Sequence, residues 1–451
     1  MQQITNLNNI RNISPIDGRY ASKTKVLQDY FSEFSLIKYR VKVEIEYLIA
    51  LSNLKELNFF LTENQIEELR KIYIDFDIDE AKRIKELEKE TNHDVKSVEI
   101  FIREVFEKIN LNEYKEYIHF GLTSQDINNT AFPLMLKDFM FNHLFDSFNN
   151  LQNQIKEITK KWRSITIIAR THGQPASPTK LGKEFLVFHE RIHHQLEILK
   201  DIEMTCKFGG ATGNLNAHVI TFPKTNWIEF ADNFTLKYLG LKRQKTTTQI
   251  DHYDTLSQIM HASLRINTIL IDLCRDVWTY ISMDFFKQKI SEKEVGSSAM
   301  PHKVNPIDFE NAEGNLGISN ALLNFLSEKL PVSRLQRDLT DSTVIRNLGV
   351  PYAHIFIAIQ SIQRGLNKLL VNENKINDDI ENNWAVVAEA IQNILRRERF
   401  ENPYNVLKDL TRKNKKINKE DLHNFIDSLN INDEVKKELK IITPYNYTGT
   451  A

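Results

Sequence analysis

The chain has 451 residues, with 59 Lys and Arg against 60 Asp and Glu and a formal net charge of -1. That length exceeds the roughly 250–300 residues at which one core stops growing, so several domains are expected, while the balanced charge argues against a nucleic-acid or anionic-membrane partner. Cys206 and Cys274 are the only cysteines and neither has a metal-type Cys/His spacing, which argues against a disulfide framework and a zinc site and fits a reducing cytoplasm.

Residues 1–12 are polar and lack the apolar stretch of a secretory signal, and no apolar run reaches the length of a membrane span. The first part of the chain, 1–112, is mixed, charged and mainly helical in pattern. The centre, 113–366, is dominated by apolar residues three and four apart. One such helix carries Phe141, Leu144, Phe148, Leu151, Ile155, Ile158 and Trp162, a second Phe185, Phe188, Ile192, Leu196 and Leu199, and a third Leu256, Ile259, Ile266, Leu270, Leu273 and Val277. Further helical stretches follow Asn320 and Tyr352, whereas strand-like alternation is short and scattered. The end, 367–451, is charged, rich in Asn and Lys, and only weakly periodic. These patterns predict an all-α fold of three domains around a central bundle, with the aromatic stripes serving as core or subunit interface.

Polar, turn-forming clusters punctuate the helices. Asn92-His93-Asp94 reads as a plain turn. Thr123-Ser124-Gln125-Asp126 reads as a helix N-cap, and free amides beside hydroxyls there also suit a carboxylate or phosphate. Arg170 to Pro175 puts His172 on a loop or helix end, where a lone histidine is usually a surface or capping residue. Gly209 to Asn214 is a weak phosphate-loop candidate, better read as a tight turn or close packing. Arg334, Arg337 and Arg346, with Ser342 and Thr343, bring guanidinium groups and hydroxyls into a nearly neutral chain, which suits a phosphate as well as an ion-paired helix face. Finally, Gly296-Ser297-Ser298-Ala299-Met300-Pro301-His302-Lys303-Val304-Asn305-Pro306, inside a predicted loop 291–306, has the permissive glycine and φ-fixing prolines of a shaped strip that an anion can order.

That last segment resembles the fumarase/aspartase superfamily signature Gly-Ser-x-x-Met-x-x-Lys-x-Asn, matched at Gly296, Ser297, Met300, Lys303 and Asn305. Thr171 to Thr179 resembles a second motif, from the adenylosuccinate lyase branch. Ser14 to Tyr20, Thr91 to Lys96, His119-Phe120 with Thr123-Ser124, Asp308 to Asn311, Leu330 to Arg334, and Arg337 to Asn347 extend the similarity over nearly the whole chain. The resemblance implies a helical homotetramer whose sites each draw on three subunits. It also implies β-elimination of fumarate from succinylated purine nucleotides, with no metal and no cofactor. A proton next to a carboxylate must be removed and the leaving nitrogen protonated, so a base, an acid and donors for the developing charge are needed. The family pattern implies Ser297 as base, His172 as acid, Lys303 with Asn305 holding the charge, and Glu310 orienting His172. It places the nucleotide phosphate on Arg19, Tyr20, Arg337, Ser342 and Arg346, with Thr343 alongside. The succinyl carboxylates fall near Thr123, Ser124, Gln249, Lys303 and Asn305, and Asn92, His93, Asp94, Ser298, Met300 and Asn311 complete the binding set. A sister-branch lyase, of argininosuccinate lyase or fumarase type, and a non-catalytic scaffold of the same fold are the alternatives. Gly121, where the family varies, is expected to matter little.

Overall fold

The computed structural model describes residues 10–289, 304–411 and 417–450. Helix accounts for 68% of the chain, and the strands among the described residues form only two-stranded pairs, so the all-α expectation holds. The main elements are α1 (Glu33–Leu51), α2 (Ile78–Thr91), α3 (Asp94–Lys108), α4 (Ser124–Phe139), α5 (Phe145–Lys161), β1 (Thr166–Thr171), β2 (Gln174–Lys180), α6 (Leu181–Lys200), α7 (Asp254–Ser282), α8 (Ile307–Lys329), α9 (Thr340–Val344) and α10 (Gly349–Lys368). The periodic seam from Phe141 to Trp162 belongs to a run that begins earlier, because a π-helical stretch, Met140–Leu144, carries α4 into α5.

The chain divides into two compact units. The first comprises Met1–Phe148, Gln195–Thr268 and Gly314–Gln360. Its centre is α1, started by the Ser32 side chain accepting from the Ser35 amide and buried along almost its whole length. Val41, Val43, Ile45, Tyr47 and Leu51 are fully enclosed, yet Arg40, Glu44 and Glu46 are buried with them. A buried charge is tolerable only when paired. Arg40 meets Asp94 at 2.6 Å, Glu44 meets His119 at 2.6 Å, and Glu46 takes Arg70 at 2.8 Å and the Tyr73 hydroxyl at 2.7 Å. Burial alone would depress His119, but Glu44 outweighs it and holds the imidazole above its ordinary range.

Beneath the N-terminus of α4, Asp126 and Lys207 form a fully buried ion pair at 2.7 Å. The same carboxylate accepts from the amides of Gly209 at 2.8 Å and Gly210 at 3.1 Å, while Lys207 also donates to the Gly210 carbonyl at 2.6 Å. The glycine-rich segment is therefore a clasp around a buried carboxylate, in keeping with the turn-and-packing reading. Burial pushes the Lys207 ammonium below its usual range despite the facing charge.

Gly121 corrects the expectation made for it. Its φ is +68°, in the left-handed region, and a Cβ there would lie 2.7 Å from the His218 ring, so a side chain is excluded twice over. His218 is itself fully buried. The Tyr47 hydroxyl donates its one proton to the Phe120 carbonyl at 2.7 Å, so His218 Nε2, 2.9 Å away, must carry hydrogen and donate to the Tyr47 oxygen. Its Nδ1 then faces the interior as a bare lone pair, consistent with its lack of a partner among the described residues.

The second unit comprises Asn149–His194, Ile269–Glu313 and Ser361–Ala451. Trp162, Phe185 and Phe286 pack edge-on or tilted, with ring centres 5.0–6.1 Å apart. A separate core of Trp384, Ile391, Leu395, Leu422, Ile426 and Leu439 gathers the last helices. The β1/β2 hairpin pairs Thr171 with Gln174, leaving His172 and Gly173 as a two-residue turn. Both have positive φ, 52° and 74°, the geometry that matches the right-handed twist of a hairpin. At the start of α8, Asp308 accepts from Arg364 at 3.2 Å and Lys368 at 2.9 Å.

Candidate active site

In the first unit, a cavity of about 550 Å³ is lined by residues from six places in the sequence: Arg40; Glu88, Asn92, His93 and Asp94; Ser124, Gln125, Asn128 and Asn129; Tyr253; Arg337; and Asp341, Ser342, Thr343 and Arg346. Local structure aims each of them. Asn92 ends α2 in the left-handed conformation, φ 51°, and turns the chain so that His93 caps α3. His93 Nδ1 accepts from the Lys96 amide at 3.1 Å, so the neutral ring carries its hydrogen on Nε2, which sits 3.4 Å from Ser124 Oγ. Thr123 caps α4, its amide donating to Asp126 at 2.9 Å. The Asp126 amide is taken by the Thr123 cap at 2.9 Å, and the Ser124 and Gln125 amides ahead of it are the donors this helix end offers to an anion.

Opposite stand the arginines. Asp94 Oδ2 accepts from Arg40 at 2.6 Å and from Arg346 at 2.8 Å, and Arg346 also reaches Glu33 at 3.1 Å. Burial would raise the Asp94 carboxyl, but the guanidinium of Arg40, with help from Arg346, outweighs it and lowers its pKa to about 2. Arg337 donates from Nη1 to Gln249 Oε1 at 3.3 Å and from Nη2 to Ser342 Oγ at 3.1 Å. Among the described residues this leaves one N–H on each terminal nitrogen, a fork suited to two oxygens of one phosphate or carboxylate.

The cavity thus brings together Asn92, His93, Asp94, Ser124, Arg337, Ser342, Thr343 and Arg346 from the expected set. Gln249 joins through Arg337, and Thr123 through its cap. Arg19 and Tyr20 line no part of it. Their guanidinium-to-ring distance is 6.0 Å, and their turn runs beside a smaller cavity of about 210 Å³ that shares Arg346 and includes Ser14, Ile16 and Asp17.

The remaining expected residues lie in the second unit or outside the described residues. His172 is exposed at the hairpin tip, and none of the described residues hydrogen-bonds its ring. Glu310 accepts from Trp278 Nε1 at 3.1 Å rather than from His172, and Asn311 accepts from Ser361 Oγ at 2.9 Å. Asn305 is described, two residues before the start of α8. Ser297, Ser298, Met300 and Lys303, with most of the predicted loop 291–306, lie outside the described residues. A cavity of about 970 Å³ flanks the hairpin, lined among others by Thr171, Gly173, Lys183, Glu184, Asp276 and Tyr280. Burial, with Asp272 and Glu184 nearby, raises Asp276 to about 6.

Sequence reasoning missed Arg40, Gln125, Asn128, Asn129, Tyr253 and Asp341. Arg40 alone left a trace: a cation amid the apolar residues of α1 must be paired, and a buried pair so close to a helix N-terminus marks a site.

A lyase family model matches residues 18–318, and a model described as adenylosuccinate lyase C-terminal matches residues 333–448. The chain is 55% identical to an adenylosuccinate lyase of Dictyostelium discoideum, over 98% of this chain and 97% of that one. It is 45% identical to the Escherichia coli K12 adenylosuccinate lyase, over 99% and 98%. Its fold is similar to a 3-carboxy-cis,cis-muconate lactonizing enzyme from Pseudomonas putida, at TM-score 0.73 and 17% identity over 94% of each chain. A fumarate lyase from Mesorhizobium gives TM-score 0.72 at 17% identity, over 94% and 95%. Relatives this similar along the whole length, joined to both family models, make the chain a member of the adenylosuccinate lyase family.

Proposed function

We propose that the chain cleaves the carbon–nitrogen bond of adenylosuccinate by β-elimination, giving fumarate and AMP, and acts likewise on succinylaminoimidazole carboxamide ribotide. The observation that carries this reading is the pairing, within one cavity, of the Arg337–Ser342–Thr343–Arg346 cluster with the N-terminus of α4. One side suits a phosphate dianion, the other a carboxylate, and a nucleotide bearing a succinyl group has both.

In this reading Ser297 removes the proton next to the succinyl carboxylate. A hydroxyl is a poor base unaided, and Lys303 supplies the positive charge that favours its alkoxide. Lys303 and Asn305 hold the charge that develops on the carboxylate. His172 gives a proton to the leaving nitrogen, with Glu310 orienting its ring. Arg19 and Tyr20 close the phosphate end, while Ser298, Met300 and Asn311 complete the succinyl side. The reaction asks for no metal or organic cofactor. We further propose a cytoplasmic homotetramer in which neighbouring subunits bring His172 and Glu310 to each cavity. The exposed tip position of His172, with no hydrogen-bond partner for its ring among the described residues, supports that arrangement.

Purified protein supplied with adenylosuccinate should release fumarate and AMP, detected by absorbance change and chromatography, and should leave argininosuccinate untouched. Activity on argininosuccinate alone would move the chain to a sister branch. Mixing inactive His172→Ala and Ser297→Ala subunits should restore part of the activity if sites are shared; no restoration would count against sharing.

A further inference from the structure

The cavity contains a group that its ligand chemistry does not call for. Asp341, on α9, is 3% exposed and sits among residues arranged for an anion, where a carboxylate weakens the attraction for a phosphate. Its surroundings show what offsets that cost. Asp341 Oδ2 accepts from the Tyr253 hydroxyl at 2.9 Å and from Gln125 Nε2 at 3.4 Å. Its Oδ1 lies 3.4 Å from Ser342 Oγ and 4.0 Å from Arg337 Nε. Tyr253 is braced in turn by Asn129 Nδ2 at 2.8 Å, and Asn129 Oδ1 accepts from the Asp251 amide at 3.0 Å.

Arg337 is hydrogen-bonded on two edges, Nη1 by Gln249 and Nη2 by Ser342, while its Nε faces the Asp341 charge at 4.0 Å with no hydrogen-bond partner among the described residues. Ser342 Oγ receives from Arg337 at 3.1 Å and Gln125 at 3.2 Å, so its own proton points to Asp341 until an acceptor on a ligand replaces it. A long guanidinium side chain loses rotamer freedom when it binds, and fixing it beforehand moves that cost from binding to folding. We propose that Asp341 is a positioning residue for phosphate recognition, braced by Tyr253 and Gln125 and acting through Arg337 and Ser342 without touching the ligand. The inference rests on the function proposed above.

The test compares Asp341→Asn and Tyr253→Phe with wild type on two substrates, adenylosuccinate and its 5′-dephosphorylated nucleoside. With Asp341→Asn, KM for adenylosuccinate should rise about tenfold with kcat within about threefold, the signature of lost binding rather than lost chemistry. Tyr253→Phe, which keeps the carboxylate, should show the same pattern at about threefold. For both variants, kcat/KM on the nucleoside should stay within about twofold of wild type, because the arm being positioned has nothing to hold. Equal losses on the two substrates would reduce Asp341 to a structural role and overturn the proposal. So would a fall in KM, which would mean that repulsion outweighs positioning. If Asp341→Asn does not fold, Tyr253→Phe decides by the same criterion. Wild-type protein inert toward adenylosuccinate would sink the functional reading itself, an outcome distinct from any variant result.

Discussion

The cavity of the first unit and the hairpin tip of the second are built on opposite principles. In the cavity every cation is tied down: Arg40 to Asp94, Arg346 to Asp94 and Glu33, Arg337 to Gln249 and Ser342. At the tip, His172 is exposed and, among the described residues, held only by the backbone of a two-residue turn. In the function proposed above, the groups that bind are preorganised by neighbours at a cost in desolvation, whereas the group that exchanges a proton is displayed and left to be met. Substitutions at the tip should therefore change rate without stability, and substitutions beneath the cavity stability before rate.

The largest effect should come from the tip. His172→Asn keeps a residue type that tolerates positive φ, so the hairpin survives while the acid is lost. We expect kcat to fall about 10²–10⁴-fold, the usual worth of a general acid, with unfolding free energy within about 0.5 kcal/mol of wild type, as at other exposed positions. Steady-state kinetics and urea titration measure both. A variant with unchanged kcat would remove His172 from the mechanism and erase the contrast between the regions.

Beneath the cavity the order reverses. Lys207→Met removes one partner of a pair with no solvent exposure on either side and strands the Asp126 carboxylate with only amide donors. Breaking such a pair costs about 3–5 kcal/mol, which urea denaturation would show as a lowered midpoint at unchanged slope. An unaffected midpoint would mean that the glycine amides suffice for Asp126, and that the clasp is less coupled to the α4 N-terminus than its geometry suggests.

How much of this could be read from the sequence follows from how far each feature is local. The long helices were legible because a seam such as Phe185, Phe188, Ile192, Leu196 and Leu199 repeats within one segment. So were the turn at Asn92–Asp94, the cap at Thr123 and the cluster from Arg337 to Arg346, since each is a short run with a chemical meaning; that His93 also caps a helix was not. The π stretch at Met140–Leu144 was not, because an extra residue per turn leaves the apolar spacing almost intact. The β1/β2 hairpin was hidden by its length and by prolines at 175 and 178. Tyr253, Asn129 and Asp341 escaped for another reason: each is an ordinary residue in its own segment and acquires a role only where three distant segments meet. Gly121 was misjudged because its constraint is a ring 97 positions further along the chain, at His218.

His218 offers a test of that long-range constraint through pH. Burial, only partly opposed by Asp126, lowers its pKa from 6.5 to about 4. The unfolded chain therefore binds this proton below pH 6.5 while the folded chain refuses it until about pH 4. The stability associated with neutral His218 is complete above 6.5 and is lost as pH falls between those values. At about 1.4 kcal/mol per pH unit the total is about 3 kcal/mol. The urea midpoint should fall further between pH 7 and pH 4.5 for wild type than for His218→Gln, whose side-chain amide can still donate to the Tyr47 oxygen and does not titrate. Parallel behaviour of the two proteins would mean that water reaches Nδ1 and that the site under Gly121 is less closed than its contacts imply.

The smallest effect concerns how tightly a binding cation ought to be tied. Arg346 shares its guanidinium between Asp94 and Glu33, but the two carboxylates are not equivalent. Asp94 also serves the buried Arg40, and with its pKa lowered to about 2 it stays ionised at any pH the enzyme meets. Glu33 is 45% exposed against 41% for Arg346, and it divides its charge with Lys85 at 3.3 Å. An exposed pair of that kind is worth about 0.2–1 kcal/mol, so Glu33 does little to aim Arg346 and mainly competes with an incoming phosphate. Glu33→Gln should therefore lower KM for adenylosuccinate about twofold with kcat unchanged, within the fold-change that such a pair energy allows. Asp94→Asn should do the reverse, because it releases Arg346 and leaves Arg40 without its counter-charge. A rise in KM for Glu33→Gln would mean that both carboxylates are needed to orient Arg346, and the line between tethers that aim a cation and tethers that merely hold it would have to be redrawn.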